Sequence, residues 1–281
     1  MTIPKQIFFY WGGLSLSYSR YMTLFSFRKF HPEWRMVLFL DENPKQKTWI
    51  SEEKLDEFSG INYLDNLSDL NIEQININSI ELPFSHNDKS YVHTKDTLNW
   101  FLLYQNGGVV CDMDILFIKS MDHLIDKLNN KNIDIALVEF ENNPKPGYIP
   151  VSFMISSPGQ SFIKKCFDNA VNNYNPLQYE SCGTPCFPTK TIKDAMDKFL
   201  ESKFGKLKSE CVFPTCIYEY NTGLHQLFVK DVYNFFKPET FAIHWYGGSP
   251  ISNSWSKSVN EYNFSQHSNT MTTAILKIME K

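Results

Sequence analysis

The stretch DTLNWFLLYQNGGVVCDMD, Asp96 to Asp114, runs helix, turn, strand and acidic pair together in one unbroken string. Apolar residues at Leu98, Phe101, Leu102 and Tyr104 suit a helix over 95–105 with one buried face. Asn106-Gly107-Gly108 ends that helix in the manner of a glycine cap. Val109-Val110-Cys111 follows as a buried strand, and Asp112 and Asp114 stand at its carboxyl edge, where α/β proteins place ligands. Two carboxylates brought together there repel unless a cation sits between them. Such oxygen ligands suit Mg²⁺ or Mn²⁺, which complete their shells with waters and phosphate oxygens. A cation so held acts as a Lewis acid on a departing diphosphate. A bare Asp-x-Asp is common, and a solvated pair at a strand end is the plain alternative.

Working outward, Lys5 to Trp11 is a β-favouring run closed by Gly12-Gly13, a strand and a tight turn. Ser17 to Phe30 reads as a helix that stops before His31-Pro32, and Met36 to Leu40 as a second strand. Strand, helix and strand in this order predict a βαβ unit and a parallel sheet. The segment 62–83 has no clear period. Ile133 to Val138 reads as another buried strand and Ile163 to Asn173 as a helix. Phe241 to Ile243 is a short strand opening onto His244-Trp245-Tyr246-Gly247-Gly248, and Thr270 to Lys281 a terminal helix. No linker or low-complexity stretch interrupts the chain, so residues 1–281 read as one domain.

A net charge of −4 gives no support for a nucleic-acid partner, because backbone binding relies on clustered Lys and Arg. No apolar run reaches the roughly 20 residues needed to span a bilayer. The N-terminus lacks the form of a signal peptide, so a soluble, cytoplasmic protein is expected. The cysteines Cys111, Cys166, Cys182, Cys186, Cys211 and Cys216 include no Cys-x-x-Cys pair, which points to reduced, mostly buried thiols. The high aromatic content mainly fills a core, although Tyr and Trp also suit stacking on bases and sugars.

The string Asp96-x-x-Asn99-x-x-x-Leu103-Tyr104-x-x-Gly107-Gly108-Val109-x-x-Asp112-x-Asp114 resembles the DXD sugar-binding region of family 32 glycosyltransferases. That group includes capsular-polysaccharide transferases, Golgi mannosyltransferases and clostridial glucosylating toxins. The opening Ile3-Pro4-Lys5-x-Ile7-x-x-x-Trp11 is similar to the family's first strand, with Phe8 where His is usual. Phe241-Ala242-Ile243-His244-Trp245, followed by Ser254-Trp255, resembles its closing segment. The three matches lie at the start, middle and end of the chain in the family's order.

The resemblance implies a GT-A-like, Rossmann-type mixed sheet flanked by helices in a single domain. It also implies a nucleoside-diphosphate sugar donor, with UDP-sugars ahead of GDP-sugars, a divalent Mn²⁺ or Mg²⁺, a glycan-type acceptor and retention of anomeric configuration. Carried over residue by residue, Asp112 and Asp114 bind the metal and the donor's diphosphate and form the catalytic centre. Asp96 meets the donor sugar, Trp11 stacks on the base, and Gly107 and Gly108 belong to the donor region. His244 is a third metal ligand, for which a neutral imidazole is suited. Gly247 lets backbone amides approach an anion, and Trp255 closes over the diphosphate, with Lys257 beside it. Asn99 departs from the pattern: the family usually has Arg there, a fixed positive fork. Asn keeps hydrogen bonding and loses the charge.

Lesser candidates are the turn Cys182-Gly183-Thr184-Pro185, His86, Asp88 and His93 ahead of the donor helix, and Glu139 and Glu141 toward an acceptor. Two other readings compete. A phosphohydrolase would use Asp112 as nucleophile, but usually carries its pair near the chain start with Thr or Val where Leu116 stands. A non-catalytic carbohydrate-binding protein would keep the fold, a reading fed by Asn99 and Phe8 and opposed by Asp112, Asp114 and His244.

Overall fold

The computed structural model describes residues 2–42, 60–139, 150–178, 181–183, 204–208 and 223–280. Thr184, Pro185, Cys186, Cys211, Cys216 and Glu141 lie outside these, and of Glu139 only the backbone is described.

The chain opens with β1 (Gln6–Gly12), α1 (Tyr18–Phe30) and β2 (Arg35–Asp41), and β1 and β2 pair in parallel as the βαβ reading requires. The unassigned stretch resolves into two 3₁₀ segments, Asp65–Leu70 and Ile77–Ser79, on either side of a short β3 (Glu73–Asn76). Next come α2 (Tyr91–Asn106), β4 (Gly108–Cys111), β5 (Ile115–Phe117), α3 (Asp122–Asn130), β6 (Ile135–Glu139), β7 (Phe153–Ser156) and α4 (Ser161–Asn172). After β8 (Phe204–Lys208) the described chain continues with α5 (Gly223–Val229), β9 (Ala242–His244), α6 (Pro250–Ser258) and α7 (Thr270–Glu280).

Seven strands form one mixed sheet in the order β3-β2-β1-β4-β7-β6-β8, in which β7 alone runs against its neighbours. β5 and β9 make a separate antiparallel pair. Successive side chains of a strand point to opposite faces, and each strand shows it. Ile7, Phe9 and Trp11 of β1 enter one core cluster with the α1 and α7 side chains, while Phe8 and Tyr10 enter a second beneath α2 and α4. Both faces are therefore covered, which is why these strands read as continuous apolar runs.

Helix α2 begins at Tyr91, four residues before Lys95, because the Ser90 side chain accepts the His93 N–H and caps it. His93 is thus inside the helix, and Trp100 and Leu103 are buried with Leu98 and Leu102 while Phe101 and Tyr104 are only half-buried. Residues 250–258, given no secondary structure from the sequence, form helix α6, capped by Ser249 with Pro250 in the first turn.

The chain leaves β1 toward β2 on one side and returns to β4 on the other. Such a reversal of strand order opens a crevice at the carboxyl ends of the two strands. Trp11 and Gly12 end β1 there, and Asp112 follows the last residue of β4.

Candidate active site

Asp112 is pinned by its N–H, which donates to Ser152 O at 2.8 Å. Thr23 Oγ1 donates to Met113 O at 2.9 Å, so α1 holds the middle of the Asp-x-Asp turn. β5 then pairs with β9 in a register that sets Ile115 opposite His244. That pairing carries the closing segment to the acidic pair: Trp245 N–H donates to Asp114 O at 2.9 Å. Beyond it Tyr246 adopts φ +49, a left-handed conformation uncommon outside glycine. This turns the chain so that Gly247 N–H meets Asp114 Oδ2 at 2.8 Å.

One oxygen or nitrogen from each of Asp112, Asp114 and His244 lies within 4.8 Å of the others. His244 Nε2 is 3.1 Å from Asp114 Oδ1, and its ring stacks on Tyr246 at 3.8 Å between centroids. Two carboxylates and one imidazole, mostly buried and converging on one point, fit the oxygen-and-nitrogen donor set of Mn²⁺ or Mg²⁺.

Two buried cations border this group. Arg20, on the inward face of α1, has Nη1 3.8 Å from Asp114 Oδ2. Its guanidinium lies 5.3 Å from the Trp11 ring centroid and 4.7 Å from that of Trp245. Lys95 Nζ lies 2.7 Å from Asp112 Oδ1 and 3.0 Å from Asp96 Oδ1. These surroundings drive the two acids apart. Burial pushes the Asp112 carboxyl up to about 6, with Lys95 opposing and Asp114 reinforcing. Burial would raise Asp114 too, but His244, Arg20 and the Gly247 amide outweigh it and hold Asp114 below the usual carboxylate range.

The structure brings together Trp11, Asp96, Asp112, Asp114, His244 and Gly247, linked through Arg20 and Lys95. Asp96 and Asn99 are buried on α2, and Asn99 Nδ2 has no hydrogen-bond partner among the described residues. The Trp11 indole is only 6% exposed and its Nε1 donates to Ser15 O.

Gly107 and Gly108 are placed elsewhere. They sit at the amino end of β4, about 13 Å of extended strand from Asp112. Their work there is conformational, at φ +64 and +93, with Pro158 and Gln6 where a Cβ would go. Trp255 packs against Trp245 and Phe228 at 6% exposure, so its indole is part of the core, and Lys257 is exposed on α6. His93 Nε2 donates to Gln178 O at 2.9 Å, and His86 and Asp88 lie near the surface. Cys111, Cys166 and Cys182 are buried and form no disulfide, as expected.

The sequence reading missed Arg20 and Lys95. A signal existed for both: Arg20 shares its helix face with Thr23, Leu24 and Phe27, and Lys95 shares its face with Leu98 and Leu102. A charge at i, i+3, i+4, i+7 spacing with core residues has to be buried with a partner.

Residues 20–132 match the family model of the glycosyltransferase sugar-binding region containing the DXD motif. No curated protein matches the chain. Among solved structures, the glycosyltransferase GlyE of Streptococcus pneumoniae TIGR4 superposes with a TM-score of 0.50 at 9% identity, over 99% of this chain and 63% of that one. The chain thus spans a little under two thirds of GlyE, and the likeness is one of fold. The PaToxG glycosyltransferase gives 0.49 at 17% identity over 69% and 70% of the two chains. The galactosyltransferase LgtC with donor and acceptor sugar analogs gives 0.41 at 13%, over 92% and 98%.

Residues 20–132 thus resemble the DXD-containing sugar-binding region of glycosyltransferases, and the chain has an α/β fold of the GT-A type. Among the described residues no helix is long and apolar enough to cross a membrane.

Proposed function

We propose that the protein is a metal-dependent, retaining glycosyltransferase that takes a hexose or pentose from a nucleoside-diphosphate sugar, UDP-sugars ahead of GDP-sugars, and passes it to a glycan-type acceptor. Residues 1–281 act in this reading as one catalytic domain. The observation that carries it is the convergence of Asp112, Asp114 and His244 on one point at the carboxyl edge of the sheet.

These three residues would hold Mn²⁺ or Mg²⁺, which neutralises charge on the leaving diphosphate. Gly247 N–H and Arg20 fix Asp114, and Ser152 O fixes the backbone of Asp112. Fixed donors and charges of this sort need no reorganisation as the leaving group gains charge. The donor lies along the crevice from Trp11, at the end of β1, to Asp96 and Asn99 on α2. The Asn99 amide offers a buried, unused hydrogen-bond donor to a sugar hydroxyl or phosphate oxygen. Retention of configuration and the nucleotide rest on family resemblance, and no catalytic base is assigned.

The test is a panel of UDP- and GDP-sugars incubated with the protein and Mn²⁺, following nucleotide release with and without chelator. Release from one donor that stops when the metal is removed supports the reading and names the sugar. Release that is indifferent to chelator sinks the metal dependence, and none from any donor sinks the nucleotide-sugar assignment.

A further inference from the structure

Lys95 occupies a costly place. Its side chain is four-fifths buried on a helix face it shares with Leu98 and Leu102, and a lysine is rarely buried without partners. Its partners are Asp112 Oδ1 at 2.7 Å and Asp96 Oδ1 at 3.0 Å. Through these two ion pairs the ammonium ties α2 to the carboxylate that follows β4.

Charge balance gives this tie a direction. Asp96, Asp112 and Asp114 against Lys95 and Arg20 leave the site with one excess negative charge, which attracts a divalent ion. A bound divalent ion leaves one excess positive charge, which attracts a diphosphate. Without Lys95 the metal-loaded site would be neutral. A second observation points to a ligand at the same place: Asn99, one helical turn from Lys95, keeps its buried Nδ2 without a partner among the described residues.

We propose that Lys95 is a positioning residue of the donor site, fixing Asp112 and supplying the positive charge that, beside the metal, makes the site accept a diphosphate. The inference rests on the transferase reading above and deepens it. An ammonium beside a metal ligand repels the divalent ion and attracts the diphosphate. Its removal must move those two affinities differently, which a merely structural lysine would not do.

The experiment titrates Mn²⁺ alone by electron paramagnetic resonance, then UDP and GDP at saturating Mn²⁺ by calorimetry, for wild type, Lys95→Met and Lys95→Arg, with thermal melts alongside. Lys95→Met is expected to hold or tighten Mn²⁺ alone and to weaken the nucleotide roughly tenfold or more, while Lys95→Arg stays within a few-fold of wild type. Should the methionine variant melt early, Lys95→Gln keeps a hydrogen-bond donor to Asp112 without the charge and reads the same two affinities. Both affinities falling together, or nucleotide binding unchanged, overturns the inference while leaving the transferase site standing. A wild type that binds neither Mn²⁺ nor nucleotide overturns that site reading itself.

Discussion

The backbone N–H of Gly247 donates to Asp114 Oδ2 at 2.8 Å across 133 positions of chain. The closing segment and the Asp-x-Asp turn are therefore one unit, and Gly247 is part of it for steric reasons. A Cβ at 247 would stand 2.1 Å from Arg20 Nη2 and 3.1 Å from the Trp245 ring.

Gly247→Ala is accordingly expected to push Arg20 off its place between Trp11 and Trp245 and to disturb Asp114. Overpacking of this kind costs about 1–3 kcal/mol. The loss should appear in Mn²⁺ affinity as well as in the melting temperature. A variant that binds Mn²⁺ as wild type does would show that the turn tolerates the change.

Gly107→Ala separates fold from site. At φ +64 an alanine is strained by about 1–3 kcal/mol, and its Cβ would meet Pro158 at 2.7 Å. Because Gly107 is at the far end of β4 from Asp112, stability should fall while Mn²⁺ affinity per folded molecule stays unchanged. Urea unfolding paired with Mn²⁺ titration checks both halves.

His31 makes the fold sensitive to acid. Its Nε2 accepts the Met121 N–H at 2.8 Å, so Nδ1 carries the proton and donates to Phe27 O at 3.0 Å. Burial lowers its pKa from 6.5 to about 4, against a smaller opposing effect of Phe27 O. The unfolded chain therefore binds a proton at His31 below 6.5 while the native chain refuses it. Stability is full above 6.5 and declines as pH falls toward 4, by about 3 kcal/mol at most. Asp122, held down to about 2 by Trp34 and Lys5 against its own desolvation, acts only at lower pH. Urea midpoints from pH 7 to 4.5 should fall more steeply for wild type than for His31→Gln; parallel slopes would refute the assignment.

Much of this was legible because the strands carry their own signal. β1, β2 and β4 are apolar on both faces, and Gly107 closes α2 through its N–H to Leu103 O as the sequence suggested. What joined Asp112 and Asp114 to His244 was harder to read from residues alone. β5 and β9 have three residues each, too few for a period, and their pairing is what sets Ile115 opposite His244. Arg20 and Lys95 escaped because a long side chain reaches several ångströms from a backbone whose position the sequence does not give. α6 escaped although Ser249 and Pro250 signal a helix start. Gly107 and Gly108 were assigned to donor binding by motif, whereas the turn between α2 and β4 already accounts for them.

The most direct measurement is Mn²⁺ stoichiometry by electron paramagnetic resonance for wild type, Asp114→Asn and His244→Ala. Asparagine keeps the size of Asp114 and an oxygen for the Gly247 N–H, so charge and ligation are what it removes. One ion per wild-type chain is expected, with affinity reduced roughly 10-fold or more in each variant at unchanged fold. Wild-type protein that takes up no ion, or variants that bind it as wild type does, would contradict a metal centre at Asp112, Asp114 and His244.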